Sequence, residues 1–391
     1  MRVGVVTTSY PRAPGDPAGS FVAEHVAWLR GAGCEVEVIA AGDGASANGG
    51  AVRIDAPRLF YGGGAPEALE RGAGTRLAAA GFSLRLCAEV RARARRWDAV
   101  VAHWLAPSAL AVALAARVPA VAIAHSGDVH LLARAGLADA AAALLRARRV
   151  PVVFVSDAVR ARLAGACRSR RSRAWIRSMP VVPMGIDAAR LARAAGDGAR
   201  DGRTVVFLGR LVPIKGVDVL LDAAAALPDG ARVIVAGDGP ERDRLRTRAA
   251  ALGDRVAFRG EVRGAERDRL LAGADVVALP SIALPDGRHE GAPLVAIEAM
   301  AAGAAVVASA SGGLAELPAA AVTHVVPGDP VALARAIGAL LGDSSRRARR
   351  ARAGADHART RDWSLVGPKL VEPLRIFHDV RTDLHTSRVT A

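Results

Sequence analysis

Short apolar runs recur along the chain, and between them apolar residues return at helical spacing. The first group is VGVVT (3–7), VEVIA (36–40), AVVAH (99–103), AVAIA (120–124) and VVFVS (152–156). A second group follows: TVVFLG (204–209), RVIVAG (232–237), RVAFRG (255–260), DVVAL (275–279), AAVVAS (304–309) and THVV (323–326). A strand with one wet face alternates apolar and polar residues, and most of these runs do not. They predict parallel strands covered on both faces, with the Ala-rich stretches between them as helical crossovers. AARLARAAGDGARDGR (188–203) carries no strand pattern and several Gly and Asp, so it reads as a linker. The chain is therefore expected to be α/β, with two doubly wound, Rossmann-like domains facing each other across a cleft. The first spans 1–187 and the second 188–372. The chain from Trp363 onward reads as helical, and its end, from about 373 to 391, is expected to cross back to the first domain. In such sheets ligands bind beyond the C-terminal ends of the strands, so the loops there are where chemistry is sought.

Composition narrows the setting. A length of 391 residues suits two domains of ordinary size. The three cysteines, Cys34, Cys87 and Cys167, are too scattered for a zinc site or a disulfide framework, which fits a reducing cytosol. The apolar run in MRVGVVTTSYPR is too short for a signal peptide, and no segment reads as a transmembrane span. The net charge of +15 comes from arginine clusters in RARARR (91–96), CRSRRSRAWIR (167–177) and RRARRAR (346–352). These are either a solvated surface or an attraction to an anionic membrane. Trp175 and Ile176, set among arginines, would then serve as a shallow apolar anchor. No nucleic-acid motif or aromatic platform accompanies the charge, so nucleic acid is not an expected partner.

The most suggestive stretch is DGRHEGAPLVAIEAMAAG (286–303). Pro293 suits the first position of a helix that runs to Gly303, with Glu290 on the loop before it and Glu298 in its second turn. Backbone N–H groups at the helix start, on Leu294 and Val295, form a ready anion site. Two carboxylates near a phosphate site would repel the phosphate, so they are better suited to accept hydrogen bonds from hydroxyls. A ligand with phosphate in the middle and hydroxyls on both sides is a nucleotide sugar. The plainer alternative is a helix with one buried, satisfied glutamate. FLGRLVPIKGVDVLLDAA (207–224) places Arg210 and Lys215 on a turn after a strand, where they suit a diphosphate. The loop after the first strand ends at Gly19, where backbone can approach a phosphate, and Ser20 is the expected N-cap. It holds no G-x-G-x-x-G, so a dinucleotide cofactor is not indicated.

Taken together, FLGRLVPIKGVDVLLDAA, VAGDGPERDRL, FRGEV, LPS…DGRHEGAPLVAIEAMAAGAAVVAS and SGGLAEL resemble the nucleotide-sugar half of retaining family-4 glycosyltransferases with the GT-B fold. The likeness is close over about 204–340 and looser in SYPRAPGDPAGSFV, HSGD (125–128) and VVPMGID (181–187). The DGR-E-G-P form is especially similar to members that build bacterial exopolysaccharide. Glu290 and Glu298 match the family's E-x7-E pair.

The resemblance implies a cytoplasmic enzyme, peripheral to the membrane or soluble, that moves a sugar from a nucleotide-sugar to an acceptor hydroxyl. The acceptor would be a carbohydrate or lipid-linked, in exopolysaccharide, lipopolysaccharide or glycolipid synthesis. Glu298 would hold the ribose, and Glu290 with Gly291 and Ala292 the donor sugar. Arg210 and Lys215 would neutralise the diphosphate, helped by Gly19 and by the helix start after Pro293 and Leu294. The loop at Glu261 and Val262 would meet the base. His125 would lie near the reacting carbon and Asp128 on the acceptor side, while a plainer reading of His125 is a cap at a strand end. His103 reads as structural. No Asp-x-Asp occurs, so neither metal nor other cofactor is expected. Departures from the family pattern are Ala18 for the first of two glycines, Met184 for a polar residue, and GAAVVAS for Gly-x-Pro-Val-Val. A nucleotide-sugar 2-epimerase on the same fold and a non-catalytic nucleotide-sugar-binding protein are the alternatives. Donor base, sugar, acceptor and oligomeric state are not legible.

Overall fold

A computed structural model describes residues 1–13, 15–42, 50–60, 68, 72–196 and 200–386. It divides into two compact units, Met1–Gly185 with Trp363–Ala391, and Ile186–Asp362. The first sheet holds β1 (Arg2–Val6), β2 (Glu35–Gly42), β3 (Ala51–Asp55), β4 (Ala99–His103), β5 (Ala120–Ala124) and β6 (Val152–Phe154). The second holds β7 (Thr204–Leu208), β8 (Arg232–Ala236), β9 (Val256–Gly260), β10 (Val276–Leu279), β11 (Ala305–Ser309) and β12 (Val322–Val325). Every pairing between these strands is parallel.

Strand order is β3-β2-β1-β4-β5-β6 in one sheet and β12-β11-β10-β7-β8-β9 in the other. Numbered within its own unit, the second order is the reverse listing of the first, so both units share one topology. The winding reverses between β1 and β4, and again between β7 and β10. Such a switch point opens a crevice beyond the strand ends.

The apolar character of the runs has a direct cause in the second unit. Val206, Leu208, Val277 and Val306 pack into one core, with Leu191, Leu271, Ala296 and Ala358. Val205, Phe207, Val276 and Val307 pack into another on the opposite face, with Leu220, Leu245 and Leu333. Successive residues of a strand thus enter different cores, which leaves no position for a polar residue.

Three expectations need correction. β3 was not anticipated: its AVRID carries Arg53, and only Ile54 of its five residues is buried. The expected linker is partly a helix, Ala188–Gly196, whose Leu191 is fully buried in the second unit; residues 197–199 lie outside the described ones. The returning segment begins at Trp363, earlier than the expected 373, and runs as one helix to Thr386. Its Gly367 lies against the Trp28 ring, so close that a Cβ there would fall 2.2 Å from the indole.

Candidate functional site

In the second unit the switch point brings two loops together. After β7 the chain forms the turn Pro213–Lys215 and then the helix Val217–Ala224. After β10 it runs through Glu290 to the helix Leu294–Ala301. The Ile282 N–H donates to the Ile214 carbonyl at 2.9 Å, which ties the loops to each other. Lys215 Nζ lies 2.7 Å from Glu290 Oε2, with the side chains 20% and 15% exposed. The Ser281 hydroxyl donates to the same oxygen at 3.4 Å. Glu290 is also held by its backbone, whose carbonyl accepts the Gly313 N–H at 3.0 Å. Gly312, at φ +52°, leaves room for this approach, since a Cβ there would fall 2.1 Å from the Glu290 oxygen.

Glu298 is buried in the second turn of its helix. Its Oε2 pairs with the guanidinium of Arg267, from the helix Gly264–Ala272. The two glutamates are therefore held separately, each by a cation from another element. Arg267 was not anticipated, because GAERDRLLA reads as an ordinary solvated helix. Arg210 is exposed beside β7, Val262 has its side chain in the core, and Gly291 is buried in the loop. Ala292 and Leu294 are half-buried at the helix start. Pro293 is not the first helical residue as expected: at φ −74° and ψ 103° it is the N-cap, and Leu294 begins the helix.

In the first unit Gly19, at φ +70°, is the N-cap of the helix Ser20–Gly31, where Ser20 was expected. A Cβ on Gly19 would fall 2.3 Å from the Ser9 carbonyl oxygen, so the loop after β1 can close on the helix start only through glycine. His125 follows β5 and caps the helix Ser126–Arg134. Its Nε2 and His103 Nδ1 share a hydrogen bond at 3.2 Å. His103 Nε2 in turn meets His25 Nδ1 at 3.0 Å. Burial holds all three imidazoles neutral, with His25 and His125 pushed down to about 3 and His103 pushed well below its ordinary value. Asp128 is turned into the fold rather than presented to an acceptor. Its Oδ2 accepts the N–H groups of Leu105 and His125, and burial pushes its carboxyl up to about 7. Trp104, beside His125 with ring centroids 4.8 Å apart, sits at φ 68°, an uncommon strain for a bulky residue.

The arginine-rich stretch forms the helix Arg170–Ser178. Ile176 is fully buried in it, so it is not the apolar anchor the sequence suggested. Trp175 is half-buried, Arg170 and Arg171 are exposed, and Arg173 donates to the Cys167 carbonyl at 2.8 Å.

Residues 18–190 match the family model Glycosyltransferase Family 4, and residues 192–357 match Glycosyl transferases group 1. The chain belongs to the family-4 glycosyltransferases of the GT-B fold. Among relatives, the D-inositol 3-phosphate glycosyltransferase of Salinispora tropica is 41% identical over 221 residues, 49% of this chain and 45% of that protein. The phosphatidyl-myo-inositol mannosyltransferase of Mycobacterium leprae is 37% identical over 210 residues, 51% of this chain and 54% of that one. The chain thus matches about half the length of these curated relatives. Sucrose-phosphate synthase of Thermosynechococcus elongatus shares the fold with TM-score 0.74 at 22% identity, over 97% of this chain and all of that one, 100%. Anabaena HepE, solved in complex with UDP and glucose, does so with TM-score 0.67 at 20% identity, over 96% of this chain and 99% of its own. Among the described residues no cluster of three or more His, Cys, Asp or Glu is arranged to hold a metal ion. No described helix is long and apolar enough to cross a membrane.

Proposed function

We propose that this glycosyltransferase-family chain moves a sugar, with retention, from a nucleoside-diphosphate sugar to an acceptor hydroxyl. The observation that carries the reading is the Lys215–Glu290 pair, held between the β7 and β10 loops at the switch point. Lys215 and Arg210 neutralise the diphosphate as the bond to the sugar carbon breaks. The acceptor oxygen attacks from the same face, and its proton passes to the leaving diphosphate oxygen. Glu290, with the backbone of Gly291 and Ala292, holds sugar hydroxyls. The helix start at Leu294 completes the phosphate site of this unit. Glu298 accepts from the ribose, and the loop at Val262 meets the base. His125 lies near the reacting carbon.

In this reading fixed cations perform the electrostatic work that a metal ion performs elsewhere, and transfer proceeds without one. The relatives named for inositol-bearing acceptors favour a lipid-linked or inositol-containing acceptor in glycolipid synthesis over exopolysaccharide or lipopolysaccharide. Work at the cytoplasmic face of the membrane, with the exposed arginines facing anionic lipid, fits such an acceptor. Titration calorimetry with UDP-, GDP- and ADP-sugars tests the proposal, since a specific donor binds and stabilises the protein by mass action. Failure of every nucleotide sugar and every nucleoside diphosphate to bind at millimolar concentration would overturn it. Transfer activity in EDTA equal to that in magnesium is the expected check on metal independence; loss restored by a divalent ion would refute that part.

A further inference from the structure

We infer that His25 and His103 are positioning residues that set the tautomer of His125, a role that rests on the proposed placement of His125 at the reacting carbon. His25, on the helix Ser20–Gly31, and His103, the last residue of β4, are both fully buried. His25 Nδ1 meets His103 Nε2 at 3.0 Å, and His103 Nδ1 meets His125 Nε2 at 3.2 Å. The far end of the row is braced by an aromatic ring. The Trp363 indole stacks on His25 with centroids 5.2 Å apart and planes at 11°, and its own N–H donates to Glu24 at 3.1 Å. Phe21, one turn before His25, packs on the His125 ring at 5.1 Å.

A neutral imidazole carries one N–H and one lone pair. In a row joined by N–H···N bonds, each ring that donates at one nitrogen must accept at the other. Only two arrangements of the three rings satisfy both contacts, and they are opposites. Changing the tautomer of one ring changes all three. Burial keeps the rings uncharged, so a doubly protonated ring does not interrupt the row. The other nitrogen of His125, Nδ1, is an N–H in one arrangement and a lone pair in the other, and the helix cap, in which the His125 side chain accepts the Asp128 N–H, calls for the lone pair. At the opposite end His25 Nε2 is buried with no partner among the described residues, so the row ends there in apolar surroundings. The choice between arrangements is therefore made across the whole row, and His25 contributes to it without touching any ligand.

The test uses protein labelled with nitrogen-15 at its histidine rings. In the unaltered protein, through-hydrogen-bond N–N couplings are expected across both contacts, with His125 in one dominant tautomer. Absence of either coupling would overturn the inference without any variant. His25→Leu removes the nitrogen and should shift the His125 ring signals toward those of mixed tautomers. With a donor and acceptor in hand, it should lower kcat about tenfold while leaving the donor KM within about twofold. His25→Asn returns an amide to the place of Nδ1 and should recover most of that loss. Unchanged His125 signals in His25→Leu, or equal losses in the leucine and asparagine variants, would mark a packing role only. The NMR arms need no substrate, so they stand or fall apart from the donor titrations that test the proposed activity.

Discussion

Replacing Glu290 by glutamine should tighten the binding of a free nucleoside diphosphate while impairing sugar transfer. Glu290 Oε2 lies 2.7 Å from Lys215 Nζ, with 15% and 20% of the two side chains exposed. The carboxylate therefore occupies the cation that the proposed mechanism assigns to the diphosphate. At an effective dielectric of about 20, unit charges at this separation attract by about 6 kcal/mol. Desolvation, side-chain ordering and residual solvent reduce the net worth of such a pair to about 1–2 kcal/mol. An arriving diphosphate must share or displace that pair, and it also meets the like charge of Glu290. Glutamine keeps the shape and the hydrogen-bonding oxygen but carries no charge. Relief of about 1–2 kcal/mol corresponds to about 5–30-fold tighter binding, readable by titration calorimetry. The same variant should discriminate poorly among donor sugars, because a neutral amide is a weaker acceptor for sugar hydroxyls than a carboxylate. Diphosphate binding that is unchanged or weaker would show that the ligand does not reach Lys215.

Lys215→Ala should lower kcat/KM by about 2–4 kcal/mol, on the order of 30–1000-fold, and turnover within threefold of the parent would remove Lys215 from the mechanism. Glu298→Ala should weaken nucleoside diphosphate binding about tenfold or more, through lost ribose contacts and an unpaired Arg267. Unchanged binding in that variant would place the ribose elsewhere. Acid should destabilise the fold, because His25, His103 and His125 have depressed folded values and are neutral there, yet take up protons once unfolded below about pH 6.5. Asp128, raised to about 7, works against them by one proton. Two net protons then make stability fall by about 2–3 kcal/mol per pH unit between about pH 6 and 4.5. Denaturant unfolding across that window checks the slope, and a flat profile would mean that charged histidines are accommodated in the fold.

What was legible in the sequence followed from how parallel strands are covered. A strand with helices on both faces must be apolar at every position, so its run can be read without knowing its neighbours. β3 escaped because an edge strand with one buried residue writes no such run. Lys215 and Glu290 were legible as candidates because each follows a strand, and strand ends are where ligands bind in this architecture. Their direct pairing was not legible. It depends on β7 and β10 being neighbours although β8 and β9 come between them in the chain. Arg267 and His25 were missed for a related reason. Each lies on a helix whose local pattern is ordinary, and only packing across elements gives it a partner at Glu298 or His103.

Both glutamates of the E-x7-E pair are paired with a cation, Glu290 with Lys215 and Glu298 with Arg267. A buried carboxylate without a partner would either cost several kcal/mol or take up a proton, and neither suits a group meant to accept from hydroxyls. Pairing each glutamate with an internal cation offsets part of the cost of its desolvation. Ligand binding then becomes an exchange of partners rather than a first desolvation. Exchange gives little net attraction for a bare anion, because the phosphate gains only what Glu290 gives up. It gives more for a ligand whose hydroxyls satisfy the displaced carboxylates at the same moment. A nucleoside diphosphate without its sugar leaves Glu290 partly unsatisfied, and a sugar phosphate without its nucleoside leaves Glu298 to Arg267 alone. Under the proposed function the whole donor is thereby favoured over either half, through the geometry of two ion pairs on one helix and the loop that precedes it.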